Sequence, residues 1–286
     1  MKYKIARSES PGRELKRVAG GEIKRARRAL ASKGDARTVV EGDVGKAVHA
    51  VRRSIKKVRG VLRLARRGLG RARFKRENGC FRDAGREIRA VRDAAAVIEA
   101  LDSLTEHCFK GEPPAVSREL RRLLVADAQR LARGVASGRA FERTSRRLGS
   151  ELKRVDQWEL QDFTWKDARR AWHRACKACR RACEVARSEP TDENLHEWRK
   201  RAKDLWHEML LLRKACPAVE KPLDDIGALT DILGDDRDLA LLAKTARDRE
   251  DSLDSPDQFR MLLGQISERR KKLQAKAFAL ADRRKA

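Results

Sequence analysis

Two stretches of the chain place a histidine ahead of three cations with the same spacing. The first, AVHAVRRSIK, runs from Ala47 to Lys56, and the second, NLHEWRKRAK, runs from Asn194 to Lys203. Both follow the pattern H-x-x-[RK]-[RK]-x-x-K. On a helix, like charges three or four residues apart repel each other by about 0.2 to 0.5 kcal/mol per pair. A bound polyanion would remove that repulsion, so the repeated spacing predicts an anion-binding surface.

The cations of the two motifs form one row on each predicted helix. The first row contains His49, Arg52, Arg53, Lys56 and Arg59, and the second contains His196, Arg199, Lys200, Lys203 and His207. The histidine, arginine and lysine of the second motif lie 147 positions after those of the first. A protonated histidine donates from both ring nitrogens and would suit phosphate. An ordinary solvated face is the alternative, but such faces mix charge signs, and no acidic residue follows Asp43 in the predicted helix 44–68.

Two further predicted helices carry cations at the same helical spacing. On helix 80–108 the row contains Arg82, Arg86 and Arg89, with Arg92 nearby, and on helix 164–188 it contains Lys166, Arg169, His173, Lys177 and Arg180. Residues at these intervals are neighbours on a helix surface. Several aligned rows would increase the repulsion, and they strengthen the prediction of a bound polyanion.

The composition agrees with a polyanionic partner. The 286 residues include 69 lysines and arginines against 43 acidic residues, which gives a formal net charge of +26. Such a charge repels itself unless a polyanion neutralises it, and the candidates are DNA, RNA, an anionic membrane or inorganic polyphosphate. Aromatic residues make up only 5%, which argues against single-stranded nucleic acid because its bases stack on aromatic side chains.

The elements that must position these rows are helices. Apolar residues recur at intervals of three and four and few segments alternate, so we predict an all-α protein with long helices. Besides the helices named above, we predict 192–215, 219–233 and 236–252. The pair Arg92-Asp93 recurs as Arg237-Asp238, 145 positions later. Together with the repeated motif, this offset predicts two similar halves, residues 1–157 and 158–286.

The two Arg-Asp pairs have two interpretations. An isolated pair of this kind is usually a surface salt bridge that contributes little to stability. Because it occurs in both halves, the aspartate is alternatively a residue that orients a cation on the neighbouring helix.

The cysteines of CKACRRAC raise the question of a metal. Cys176, Cys179 and Cys183 lie on the apolar side of helix 164–188. A structural zinc site needs four ligands, so Cys216 or a histidine would have to complete it. Small thiols that pack in a core explain the spacing better, and we predict no metal site.

Catalysis has little support in the sequence. There is no phosphate-binding glycine loop of the G-x-x-x-x-G-K-[ST] type. Asp235, Asp236 and Asp238 are interpreted as acidic residues at a helix start. Metal-assisted phosphoryl chemistry needs carboxylates beside the phosphate, and the cationic rows have none. We therefore predict no catalytic residue and no cofactor.

Neither a secretion signal nor a membrane span is expected. The first ten residues, MKYKIARSES, contain no apolar stretch. No apolar run approaches the roughly 18 residues of a spanning helix. We therefore expect a cytoplasmic protein with reduced thiols.

Four stretches of the chain resemble the CHAD family, the conserved histidine α-helical domain. They are AVHAVRRSIKKVRGVLRL, FRDAGREIRAVRDAAAVIEAL, LHEWRKRAKDLWHEMLLL and LTDILGDDRDLALL. The resemblance spans about residues 10–284. It implies two similar four-helix bundles with pseudo-twofold symmetry, built from long antiparallel helices around a basic central cleft. It also implies binding of inorganic polyphosphate, and association with polyphosphate granules as in some bacteria.

The resemblance assigns polyphosphate-binding residues to both halves. They are His49, Arg52, Arg53, Lys56, Arg59, Arg82, Arg89 and Arg92 in the first half, and His196, Arg199, Lys200, Lys203 and Arg237 in the second. The row Arg169, His173 and Lys177 is added from its spacing alone. Trp206 stands where the repeat would place the counterpart of Arg59. The chain contains no E-x-E-x-K motif of the triphosphate-cleaving domain that often accompanies this family, so a stand-alone binding module is expected.

Two other functions remain open at this stage. The charge of +26 would also suit a protein that coats nucleic acid, and weak non-specific nucleic-acid binding is expected in any case. A metal-dependent polyphosphatase is the less favoured alternative. No membrane partner is expected, and the sequence leaves the oligomeric state unknown.

Overall fold

The computed structural model describes residues 3–7, 9–31, 43–109, 112–137 and 139–283. These residues form ten α-helices and two short 3-10 turns and contain no strand, which confirms the all-α prediction. The helices are α1 (Pro11–Ala31), α2 (Asp43–Leu64), α3 (Arg66–Glu87), α4 (Arg89–Cys108), α5 (Ala115–Ser137), α6 (Ala140–Asp156), α7 (Trp165–Ser188), α8 (Asp192–Leu212), α9 (Leu223–Arg247) and α10 (Pro256–Asp282).

The two motif helices, α2 and α8, each bury one apolar side. The buried residues include Ala47, Val51, Ile55, Val58 and Leu62 on α2, and Leu195, Trp198, Ala202, Leu205, Met209 and Leu212 on α8. Their spacing of three and four places them on one side of each helix. Thr191 fixes the start of α8, because its side chain accepts a hydrogen bond from the Asn194 amide. The motif cations therefore lie on the sides of α2 and α8 that the core leaves uncovered.

The helices before and after residue 158 meet mainly through two pairs. Helix α2 packs against α8, and α4 packs against α9. Helices α1 and α6 pack against each other at one side of α2, while α7 packs along α8 and α10 along α9. The helices that carry the repeated motifs thus lie at the centre of the molecule. The boundary between 1–157 and 158–286, with six helices before it and four after it in the described residues, stays a prediction.

The predicted helix 80–108 is wrong as a single element. Helix α3 ends at Glu87 and α4 begins at Arg89, with Ile88 between them at φ −114° and ψ 12°. The last carbonyls of a helix have no intrahelical partner. Arg52 Nη1 donates to one of them, the Gly85 oxygen, at 3.1 Å. The break therefore separates Arg82 on α3 from Arg89 on α4.

The predicted helices 219–233 and 236–252 are also wrong, because they form one helix, α9. The acidic run that suggested a helix start has another role. Asp236 is buried within α9 and accepts a hydrogen bond from Arg270 Nε on α10 at 3.0 Å. The carboxylate thus joins α9 to a neighbouring helix and does not cap the start of a helix.

The cysteines of α7 agree with the core interpretation. Cys179 and Cys183 are buried in the hydrophobic core, and Cys176 is partly buried against it. No group of three or more histidine, cysteine, aspartate or glutamate side chains suited to a metal occurs in the described residues. Within the same residues, no helix combines the length and the apolar character needed to cross a membrane.

Candidate anion-binding cleft

Four helices bring their cations together at the centre of the molecule. We call this group the central cluster; it consists of Arg52 and Lys56 on α2, Arg89 and Arg92 on α4, His196, Arg199 and Lys203 on α8, and Arg237 on α9. Burial, followed by the positive charges of neighbouring members, lowers the pKa values of Arg52, Lys56, His196 and Arg199. The cluster therefore joins the rows of both halves into one cationic surface.

Lys56 lies among cations of both halves. Burial, followed by the charges of Arg52, Arg199, Lys203 and Arg92, lowers the pKa of Lys56 to about 8, although the side chain remains exposed to solvent. Desolvation disfavours the charged form of a lysine, and nearby cations add to this effect. We therefore take the surface around Lys56 as the candidate anion-binding cleft.

The charges act across the two halves in a reciprocal way. Burial is the largest cause that lowers the pKa of Arg52, and Arg237 of the other half adds to the effect. Burial likewise lowers the pKa of Arg199, and Arg92 of the other half adds to it. Arg52 corresponds to Arg199 in the repeat, as Arg92 does to Arg237. These four arginines are therefore related to one another by the repeat.

The two aspartates of the Arg-Asp pairs oppose these charges. Asp93 favours the charged form of Arg52, and Asp238 does the same for Arg199. Each aspartate belongs to the same half as the arginine it faces, on the helix packed beside it. Their direct contacts are with arginines of their own helix: Asp93 accepts a hydrogen bond from Arg89 Nε at 2.6 Å, and Asp238 Oδ1 lies 3.5 Å from Arg237 Nη1. The orienting role therefore stays a prediction.

Several guanidinium nitrogens of the central cluster are buried without a hydrogen-bond acceptor. They are Arg52 Nε, Arg92 Nη1 and Arg199 Nε, none of which has a partner among the described residues. Buried charged donors without acceptors destabilise a folded protein. An anion close to these groups would offset that loss electrostatically.

His196 is held by Arg237. Its Nδ1 accepts a hydrogen bond from Arg237 Nε at 3.2 Å. Burial, with Arg237, Arg199 and Lys200 nearby, lowers the pKa of His196 to about 4. Without a bound anion the neutral ring is therefore favoured at pH 7, with Nε2–H as its donor. The prediction that a protonated histidine donates from both nitrogens concerns the phosphate-bound state and stays a prediction.

His49 is exposed near the cleft. Burial and the charges of Arg92, Arg53 and Lys56 lower its pKa. His49 and His196 thus respond to the same crowded positive surroundings, one in each half.

His207 does not belong to the cationic row. It is buried where α8 crosses α2, and a Cβ on Gly60 of α2 would lie 3.0 Å from the His207 Cβ. Gly60 and His207 are 147 positions apart, as are Lys56 and Lys203. Residues related by a twofold axis meet near that axis. This crossing therefore supports the pseudo-twofold relation between the halves.

Lys203 and Arg59 are positioned by different partners. Lys203 Nζ donates to Thr230 Oγ1 at 3.2 Å and lies 4.1 Å from the centre of the Trp206 ring. Arg59 Nε donates to Asn78 Oδ1 of α3 at 2.9 Å. Trp206, the counterpart of Arg59, thus supports a cation rather than supplying one. The contacts of Trp206 and Thr230 with Lys203 were not predicted. The i,i+3 spacing of Lys203 and Trp206 is the sequence signal that could have predicted the contact with Trp206.

The remaining predicted residues lie at the edge of the central cluster or away from it. Arg53 and Lys200 are exposed beside His49 and His196, whose pKa values they lower. Arg82 is exposed and binds Asp83 at 2.9 Å. Arg169, His173 and Lys177 are exposed on α7, whereas the charges around Lys56 and His196 come from α2, α4, α8 and α9. The structure does not bring the α7 row into the central cluster, and its assignment to polyphosphate stays a prediction.

The lowered pKa of Lys56 makes a prediction about stability. Lys56 holds its proton up to about pH 8 in the folded protein, against 10.5 ordinarily. The unfolded chain therefore binds this proton more tightly, and Lys56 destabilises the fold most below pH 8. We expect Lys56→Met to raise the melting temperature at pH 7 by about 2 to 4 °C, which corresponds to about 1 kcal/mol after allowance for solvent screening.

The gain should shrink as the pH rises from 8 towards 10.5, and thermal unfolding at pH 7 and pH 10 measures it. Lys75→Met, at an exposed position of α3, is the matched control and should change little. An equal rise in melting temperature for Lys56→Met at both pH values would contradict a lowered pKa of Lys56.

Comparisons with known proteins identify the family. A model of the CHAD domain matches residues 22–247. The crystal structure of the CHAD domain from the plant Ricinus communis is similar, with a TM-score of 0.64 and 16% sequence identity over 96% of this chain and 88% of the plant chain. No curated protein matches the chain in sequence. The structural likeness supports the fold, the sequence match covers most of the chain, and the chain belongs to the CHAD domain family.

Proposed function

We propose that the protein binds inorganic polyphosphate in the central cleft and does not catalyse a reaction on it. One observation carries this proposal: cations from three helices, α2, α4 and α8, of both halves converge around the accessible, desolvated Lys56. A linear chain of phosphates presents a continuous row of negative charge. Arginine and lysine bind phosphate oxygens through charge-assisted hydrogen bonds, so the ligand would neutralise cations of both halves at once.

The aspartates of the cleft fit this function. Asp93 and Asp238 oppose the charges of Arg52 and Arg199, but the cations of the central cluster outnumber them. The arginines would therefore be held in place before the ligand binds, which lowers the entropy lost on binding.

The affinity for polyphosphate should fall steeply with salt. Binding of a polyanion releases counterions in proportion to the phosphates neutralised, as it does for nucleic acids. If about six cations engage the chain, log Kd should rise with log salt concentration with a slope of about 4, by analogy with single-stranded nucleic acid. Titration with polyphosphate of defined length across a salt series measures this slope. A slope near 1 would contradict binding along a cleft.

Nucleic-acid coating remains the second candidate because the net charge of +26 would also attract DNA. Duplex DNA and polyphosphate should be compared as competitors at physiological salt and equal phosphate concentration. We expect polyphosphate to remain bound in the cleft. Displacement of polyphosphate by duplex DNA would favour the second candidate.

The absence of catalysis is part of the proposal and needs its own test. Incubation with polyphosphate and Mg²⁺ or Mn²⁺ should release no phosphate above the background. Release that disappears when Arg52 is substituted would establish a polyphosphatase instead.

We also propose that the protein works in the cytoplasm at polyphosphate granules. A fluorescent fusion should co-localise with stained granules, and the fusion should disperse when the cleft cations are reversed.

A further inference from the structure

The outer side of α7 carries a second group of cations, together with two tryptophans. Trp165 and Trp172 lie seven residues apart on α7 and are only partly buried, whereas Trp158 and Trp198 are fully buried. Both partly buried rings line a cavity of about 130 Å³. Tryptophans at the wall of an open cavity can contact a ligand, whereas tryptophans buried in the core cannot.

Two guanidinium groups share this cavity with the rings. Arg7, from the N-terminal segment, and Arg169 of α7 both line it and are exposed. Its remaining walls are apolar side chains of α7 and of the chain at the end of α8: Ala168, Leu212, Ala215, Cys216 and Pro217. Apolar walls beside cations suit a flat ring that carries an anionic group.

The size of the cavity restricts that ring. A cavity of about 150 Å³ accommodates benzene in an engineered protein. The α7 cavity, at about 130 Å³, is therefore close to the size of one six-membered ring. Because the cavity is open, the rest of a larger base would lie outside it, and a planar nucleobase fits with one ring inside.

A row of exposed cations continues from the cavity along α7. Arg169 is followed by His173 and Lys177, at intervals of four residues, and all three are exposed. The His173 ring lies 5.0 Å from the Trp172 ring, measured between centroids. Aromatic rings beside a cationic row are the arrangement with which proteins bind single-stranded nucleic acid.

We propose that the outer face of α7 binds single-stranded nucleic acid. One base enters the cavity between Trp165 and Trp172, and the phosphates that follow lie along Arg169, His173 and Lys177. This site is separate from the central cleft and does not depend on the polyphosphate proposal. It requires a base, which polyphosphate lacks.

Trp172 has a further property that suits a stacking residue. Its indole N–H is buried and has no acceptor among the described residues. The ring can therefore turn towards a base without the loss of a hydrogen bond. A carbonyl oxygen of a nucleobase would then be an available acceptor.

The test compares three labelled ligands by fluorescence anisotropy at low salt. They are oligo(dT), oligo(dA) and an abasic deoxyribose-phosphate chain of the same length. We expect the wild-type protein to bind oligo(dT) at least about tenfold more tightly than the abasic chain, since base stacking is lost in the latter. Equal affinity for all three ligands would overturn the proposal.

Variants then locate the site. Arg169→Glu with Lys177→Glu should weaken oligo(dT) binding by about tenfold or more, and Trp172→Leu should do so by about fivefold or more. Arg71→Glu with Lys75→Glu, at exposed positions of α3, makes the same change in net charge and should have a much smaller effect. The α7 double variant changes only exposed side chains, so it remains informative if Trp172→Leu unfolds the protein.

Polyphosphate separates this proposal from the proposed function. The α7 double variant should keep its polyphosphate affinity to within about threefold of the control variant. If the α7 variants bind oligo(dT) like the control, or if only substitutions in the central cleft weaken oligo(dT), the α7 site does not exist.

Discussion

Arg52→Glu combined with Lys56→Glu is expected to lower the affinity for long-chain polyphosphate by at least about 100-fold at physiological salt. The two side chains lie one turn apart on α2, and both belong to the central cluster. Each charge-assisted hydrogen bond contributes about 1.5 to 3 kcal/mol, and two glutamates would in addition repel the ligand. Isothermal titration calorimetry with polyphosphate of defined length measures the change.

Unfolding should not account for that loss. The new carboxylates would face Arg92, Arg199 and Arg237, whose charges already crowd this region. This attraction offsets the loss of the Arg52 hydrogen bond to the Gly85 oxygen, so the melting temperature should change little. Arg71→Glu with Lys75→Glu has the same i,i+4 spacing and the same charge change at exposed positions of α3. If both double variants lose affinity equally, net charge rather than the cleft determines binding.

Gly60→Val is expected to destabilise the crossing of α2 and α8. A Cβ at this position would lie 2.7 Å from the Tyr3 hydroxyl and 3.0 Å from the His207 Cβ. Both distances require the surroundings to move, and overpacking of this kind costs about 1 to 3 kcal/mol. Because Gly60 lies at the crossing of α2 and α8, the helices should also separate and weaken polyphosphate binding.

Chemical denaturation and polyphosphate titration measure the two effects of Gly60→Val together. Gly79→Ala on α3 is the matched control, since nothing lies within 4 Å of the added Cβ, and alanine should stabilise this helix by up to about 1 kcal/mol. A Gly60→Val variant as stable as the wild type would show that α2 and α8 do not depend on this close contact.

The rows on α2 and α8 could be predicted because each depends on one helix alone. The apolar positions from Ala47 to Leu62 are buried as the helical period requires, which leaves Arg52 and Lys56 on the other side. The repeated offset of 147 residues then linked Lys56 to Lys203, and these two residues do belong to one cluster.

The prediction for His207 failed because burial depends on two helices. The helical wheel places His207 with the cations of α8, but α2 covers that turn at Gly60. Nothing within α8 shows where a neighbouring helix crosses it. The same limit applies to the α7 row, whose spacing matches the other rows although α7 contributes none of the charges around Lys56.

The helix boundaries failed for a related reason. The residue between α3 and α4 is Ile88, which is not a helix-breaking residue type. The break is accompanied by a tertiary contact, because Arg52 of α2 donates a hydrogen bond to the Gly85 carbonyl. Conversely, α9 continues through Gly234 and the acidic residues after it, because Asp236 binds Arg270 of α10. Tertiary hydrogen bonds decide both cases, and local sequence signals do not contain them.

The low overall aromatic content led to a prediction against single-stranded nucleic acid that overlooks local groups of aromatic residues. Five per cent aromatic residues argues against extensive base stacking when they are spread evenly. Trp165 and Trp172 instead lie beside one cavity with Arg7 and Arg169. A local group of residues can thus provide a binding site that the average composition hides.

The stoichiometry of polyphosphate binding to an Arg199→Glu, Lys203→Glu variant tests the shared cleft most directly. Calorimetry on the wild type and this variant, with a chain long enough to cross the cleft, separates affinity from the number of sites. We predict an unchanged number of chains bound per protein and at least about a 100-fold loss of affinity, because one ligand contacts both halves. Half the number of chains bound at wild-type affinity would show two separate sites and contradict the shared cleft.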